Sequence, residues 1–80
     1  MLEGIVGEVS SRMFVMDEDP SETKSRLGTY LEKGTTFEIK KSFIIRSEVI
    51  EDEKILWYEI IVKDRLYYVS QDQLHMNSKY

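Results

Sequence analysis

The run Trp57-Tyr58-Glu59-Ile60-Ile61-Val62-Lys63-Asp64, followed by Tyr68-Val69-Ser70-Gln71-Asp72-Gln73-Leu74, constrains the fold of this chain more than any other feature. Read with a period of two, it places Leu56, Tyr58, Ile60 and Val62 on one face and Ile55, Trp57, Glu59, Ile61 and Lys63 on the other. The first face is a core face. The second mixes charges with a large aromatic, and Trp57 there suits a binding platform as much as a core.

A chain of 80 residues makes one domain, with its core over about residues 5–74 and a polar tail at 75–80 that is expected to fray. Such a domain has little core to give up for a deep catalytic cleft. There are no cysteines, so disulfides and thiolate metal sites are excluded and apolar packing must supply the stability. Residues 1–8 carry two acids and no cation, and no apolar stretch approaches a signal-peptide core or a membrane span. The expected location is the cytoplasm. Fifteen acids against eleven bases give a net charge of −4, which opposes binding to a phosphate backbone, so no nucleic acid or membrane is expected as a partner. The chain has no alanine and is rich in Ile, Lys and Glu, a bias that AT-rich codons produce in a low-GC bacterium or its phages.

Along the chain, Ile5, Val6 and Val9 suggest a short first strand, and Met13-Phe14-Val15-Met16 a second. Asp17-Glu18-Asp19-Pro20-Ser21-Glu22-Thr23, around the only proline, reads as a loop. Leu27-Gly28-Thr29-Tyr30-Leu31 resumes a strand, and Glu32-Lys33-Gly34 is a tight turn. Thr35 to Lys41 alternates, with Phe37 and Ile39 inward. Phe43 to Ile50 pairs with the Trp57 strand as a hairpin, with Glu51-Asp52-Glu53-Lys54 at its tip. After a last strand, Leu66 to Ser70, the segment Gln71-Asp72-Gln73-Leu74 has room for one turn of 3₁₀ helix. The fold class is therefore all-β, a small antiparallel barrel of five or six short strands with an extended hairpin.

The order of these residues resembles the bacterial SH3-like (SH3b) domains. The resemblance runs from Gly7-Glu8-Val9-Ser10 through Phe14-Val15 and Pro20-Ser21 to Leu27-Gly28 and Leu31-Glu32-Lys33-Gly34-Thr35. It resumes at Trp57-Tyr58-Glu59-Ile60 and closes with Tyr68-Val69-Ser70 and Leu74. It implies an SH3-like barrel whose matching tryptophan, Trp57, lies beside a ligand groove. Three departures stand out. Met16 and Asp17-Glu18-Asp19 replace the family's Arg and Gly before Pro-Ser, Asp64-Arg65-Leu66-Tyr67 lacks the usual glycine turn, and Gln73 stands where an aromatic commonly walls the groove. A ligand other than the family's ordinary one is implied.

Candidate chemistry is sparse. His75 is the only histidine, so a nucleophilic triad would have to use the tail. Asp17, Asp19 and Glu22 gather carboxylates in one loop but lack the glycine and spacing of a calcium loop, so a solvated acidic loop is the expectation. Glu51-Asp52-Glu53 reads as a solubilising hairpin tip, and the four glycines are isolated, so there is no phosphate loop. The expected protein is not an enzyme and takes no cofactor or metal.

The aromatics carry the functional expectation. Phe37, Tyr58 and Phe14 are assigned to the core, whereas Trp57 and one of the Tyr67/Tyr68 pair are expected outside. The expected partner-binding set is Trp57, Tyr68, Tyr67 and Tyr30, with Asp17, Glu18 and Asp19 facing a basic patch on a protein partner. The leading reading is a stand-alone interaction module, a regulator or phage-encoded inhibitor of a host protein. A second is the recognition of cell-wall (peptidoglycan) peptide that the resemblance implies. A third is a self-associating structural role, because Phe43-Ile44-Ile45 and Val49-Ile50 put apolar groups on both faces of a ribbon and favour a homodimer through residues 43–62.

Overall fold

The alternating segments form strands that pair with their chain neighbours, because each buries one face only in contact with another. The computed structural model describes residues 3–46 and 53–80. In them lie β1 (Val6–Val9), β2 (Met13–Met16), β3 (Gly28–Leu31), β4 (Thr36–Arg46), β5 (Lys54–Val62), β6 (Arg65–Ser70), α1 (Gln71–Asn77) and β7 (Ser78–Lys79). The strands make one antiparallel sheet in the order β3-β2-β6-β5-β4-β1-β7, which curls into a half-barrel.

The concave side holds the core. Val9, Met13, Val15, Phe37, Ile39, Tyr58, Ile60, Val69 and Leu74 pack there, with Leu56 against the cluster. The inward assignments of Phe37, Ile39, Tyr58, Ile60 and Val62 are observed, whereas Phe14 is only half-buried and packs edge-on against Tyr30, with ring centroids 5.3 Å apart. Phe14 lies on the convex face of β2, because the alternation that buries Met13 and Val15 turns it outward.

The two alternations expected at 35–41 and from Phe43 are one strand, β4, interrupted by a bulge. Ile39 pairs with Ile60 and Lys41 with Glu59, so Lys40 is the extra residue and the inward parity flips. The hairpin-tip residues Glu51 and Asp52, and Val49 and Ile50, lie outside the described residues; Glu53 is exposed.

The end of the chain differs most from expectation. Gln71–Asn77 is an α-helix, where a 3₁₀ turn was expected. Ser70 caps it by accepting the Gln73 N–H, and the Asn77 amide donates to Gln73 Oε1 at 3.0 Å one turn on. Leu74 anchors it in the core. Nor does the tail stand apart, since β7 pairs with β1, Glu8 opposite Lys79 and Val9 opposite Ser78. Ser78 is buried and its hydroxyl donates to the Leu74 carbonyl at 2.5 Å. Tyr80 stacks on the exposed His75, its hydroxyl 2.8 Å from Nδ1.

The glycine-free β5–β6 turn is a two-residue hairpin connection between Val62 and Arg65. Lys63 and Asp64 both take left-handed backbone, φ 48° and 65°, the geometry that matches strand twist but suits glycine or asparagine. Left-handed backbone costs an ordinary L-residue roughly 1 kcal/mol. Asp64→Gly is therefore expected to raise the urea midpoint, by about 1 kcal/mol of stability with an unchanged denaturant slope.

Candidate functional site

The loop between β2 and β3 is shaped by its own side chains. Asp19 Oδ1 accepts from the Ser21 N–H at 2.9 Å and the Ser21 hydroxyl at 2.7 Å, and the Glu22 N–H returns to the Asp19 carbonyl at 3.0 Å. Pro20, second residue of this turn, brings its fixed φ and is buried. Farther on, Thr23 Oγ1 accepts the Ser25 N–H, and the Arg26 guanidinium donates to the carbonyls of Thr23 and Ser25. The Asp17 N–H to the Leu27 carbonyl closes the loop at 3.3 Å.

Facing this loop is the distal half of the β4–β5 hairpin. Phe43 pairs with Trp57 and Ile45 with Ile55, so all four side chains share the convex face. Between loop and hairpin runs a groove of about 720 Å³, with Pro20 to Lys24 and Arg26 on one side and Ile44, Ile45, Arg46, Ile55 and Trp57 on the other. Trp57 is half-buried. It offers a large aromatic surface without being consumed by the core.

One residue pair along the same face lies a polar cluster. Glu59 pairs with Lys41 on β4 and Tyr68 on β6, and it is only 5% exposed. Because the bulge sets two consecutive lysines against one glutamate, Lys40 Nζ and Lys41 Nζ reach its two oxygens at 3.7 and 3.9 Å. Tyr68 stands opposite the same Glu59 in the register and packs edge-on against Phe43, ring centroids 6.3 Å apart. Burial first, then the charges of Glu59 and Asp19, hold the Tyr68 hydroxyl above its ordinary value of 10.0.

The folded pKa is raised, so the contribution of Tyr68 is fully present below the unfolded pKa and is lost as pH climbs through the folded one. Stability is expected to fall as pH rises above about 10, and Tyr68→Phe to flatten that fall. Urea unfolding at a series of alkaline pH values measures both.

Of the expected partner-binding residues, the structure brings Trp57 together with the turn that Asp19 builds. Asp17 and Glu18 are exposed on the loop's first leg and outside the groove lining. Tyr68 is buried, 8% exposed, and serves Glu59 rather than solvent. Tyr67, its neighbour on the opposite face, is also 8% exposed and belongs to the core. Neither tyrosine is outside as expected, because Tyr68 packs against Phe43 beside Glu59 on the convex side while the half-barrel encloses Tyr67. Tyr30 is exposed on β3 but outside the groove lining, with the Arg12 guanidinium 4.2 Å over its ring and Arg12 paired to Glu32 at 3.2 Å.

The residues missed from sequence are Pro20 as a groove wall, Ile44, Ile45 and Ile55 as its apolar lining, and Glu59 as a buried carboxylate. The Lys40-Lys41 doublet was the readable sign of the last, since two polar residues in a row break a period of two. Among the described residues no group of three or more His, Asp or Glu side chains is arranged to hold a metal ion, and no helix is long and apolar enough to cross a membrane. No protein-family model matches the chain, and no curated protein or solved structure matches it.

Proposed function

We propose that this chain is a non-catalytic interaction module of SH3-like form that holds a segment of a protein partner in the groove between the β2–β3 loop and the β4–β5 hairpin. The observation that carries the reading is Trp57, a half-buried tryptophan on the wall of a groove of about 720 Å³. A rigid aromatic at the edge of a preformed groove buries much area at little entropic cost, which is why tryptophan is enriched among the residues that dominate binding. In the family the chain resembles, the matching tryptophan also lies beside the ligand groove. The SH3-like form is further supported by a single curled antiparallel sheet, a long hairpin and a helical segment before the final residues.

Aliphatic side chains and Trp57 make the contact area, and the polar loop with Arg26 and Arg46 forms the rim. Gln73, which replaces the family's aromatic, sits exposed on α1 and outside the lining. The walls are therefore aliphatic where the family's groove is aromatic, and a polyproline ligand is not the expected occupant.

The test is capture from a low-GC bacterial lysate with the wild-type chain and with Trp57→Ala in parallel. A protein retained by the first and lost by the second is the expected result. Equal capture by both, or co-sedimentation with purified peptidoglycan in place of a protein, would overturn the reading in favour of a different surface or of a wall ligand.

A further inference from the structure

The sheet ends in β3, of four residues, and β7, of two, which are short enough to resist pairing with another chain. Among the described residues, the long free edge lies elsewhere. On its β1 side, β4 is paired only from Thr36 to Glu38, and the backbone bonds of Ile39 with Gly4 and Ile5 extend that cover by one residue. Among the described residues nothing pairs with the same edge from Lys40 to Arg46. This stretch carries Phe43, Ile44 and Ile45, and Ile44 is 61% exposed. An unpaired apolar edge of this length is a template for another strand.

We infer that the strand it takes is the same edge of a second copy, paired antiparallel about a two-fold axis at Ile44. Self-complementarity carries the choice. Centred there, Ile44 faces its own copy, Phe43 faces the partner's Ile45, and Ser42 faces the partner's Arg46. Within each chain Phe43 already pairs with Trp57, Ile44 with Leu56 and Ile45 with Ile55. The dimer thus extends these pairs into unbroken apolar rows on both faces of one sheet. Moving the axis one residue back, to Phe43, would set Lys40 against the partner's Arg46, a like-charge pair that opposes that register.

An antiparallel two-fold puts equivalent faces on the same side, so both Trp57 grooves look out in one direction. The assembly would present two equivalent sites to a partner. The dimer itself does not depend on what the groove binds, and a monomer that still loses its partner on Trp57→Ala would overturn only the dimer.

Sedimentation velocity from micromolar to millimolar concentration tests it. The wild type is expected to move from monomer to dimer, and Ile44→Lys, which sets two cations on the axis, to stay monomeric with an unchanged circular dichroism spectrum. Because the chain has no cysteine, Ile44→Cys under mild oxidation is expected to yield a disulfide-linked dimer. Leu66→Cys, at another exposed apolar position, is expected to yield none. A wild type that is monomeric across the whole range, or equal cross-linking of the two cysteine variants, would overturn the proposal.

Discussion

Leu74→Ala is expected to remove about 2–5 kcal/mol of stability, the usual cost of emptying a fully buried leucine site. Leu74 is 0% exposed and is the one buried apolar residue of α1. Through it the helix docks on β2, β5 and β6, and the buried Ser78 hydroxyl is held by the Leu74 carbonyl. Loss of the side chain therefore loosens both the helix and the β1–β7 pairing that follows it. A domain of this size has roughly 4–12 kcal/mol in total, so the variant should unfold at a much lower urea concentration. Met76→Ala, on the same helix but 74% exposed, is expected to change stability by less than about 0.5 kcal/mol. Equal effects of the two would show that α1 does not close the half-barrel through Leu74.

The second large effect is expected at Gly28, where β3 begins. A Cβ there would collide with the Val15 carbonyl and lie 2.7 Å from the Phe14 ring. The ring could turn, but the carbonyl belongs to the neighbouring strand and cannot move without parting β2 from β3. Gly28→Ala is expected to cost about 2–3 kcal/mol, in the range of severe overpacking. Because β3 is an edge strand, the damage should be local. Hydrogen exchange should rise first at Thr29–Leu31 and at the β2–β3 loop, with β4–β6 still protected. The groove loses its loop wall in the same event, so partner binding should weaken although Trp57 is untouched.

The parts of the fold legible in the sequence are those where one physical signal dominates. The period of two in Leu56 to Val62 assigned Tyr58, Ile60 and Val62 to the core, and the turn at Glu32-Lys33-Gly34 is marked by a glycine that takes φ 92°. The helix was harder to read. Gln71-Asp72-Gln73-Leu74-His75-Met76-Asn77 offers only Leu74 as an inward apolar residue, so no helical stripe shows, and its stability comes from tertiary packing. Nor could composition reveal β7, whose two residues are ordered by pairing with Glu8 and Val9, more than sixty positions away.

For the site, Trp57 was legible because an aromatic on the charged face of a strand is anomalous. One of Tyr67 and Tyr68 is expected outside and neither is, because alternation shows which residues are on opposite faces, not whether neighbouring side chains such as Phe43 cover one of them. Glu59 follows the same logic. It reads as a solvent-facing residue, yet the bulge and Tyr68 give it enough partners to be buried. The acidic triplet looked like a docking element, whereas Asp19 spends its carboxylate on Ser21 to set the turn that buries Pro20.

Trp57 is the chain's only tryptophan, so its fluorescence reports on the groove alone. The most direct measurement is a titration of wild type and Trp57→Ala with peptides selected for binding to the immobilised wild-type domain. The expected result is a blue shift of Trp57 emission at saturation and, by a fluorophore on the peptide, affinity weakened about thirtyfold or more in Trp57→Ala, equivalent to about 2 kcal/mol. Peptides that bind with unchanged Trp57 emission, and bind Trp57→Ala as tightly as the wild type, would contradict the groove as the docking site.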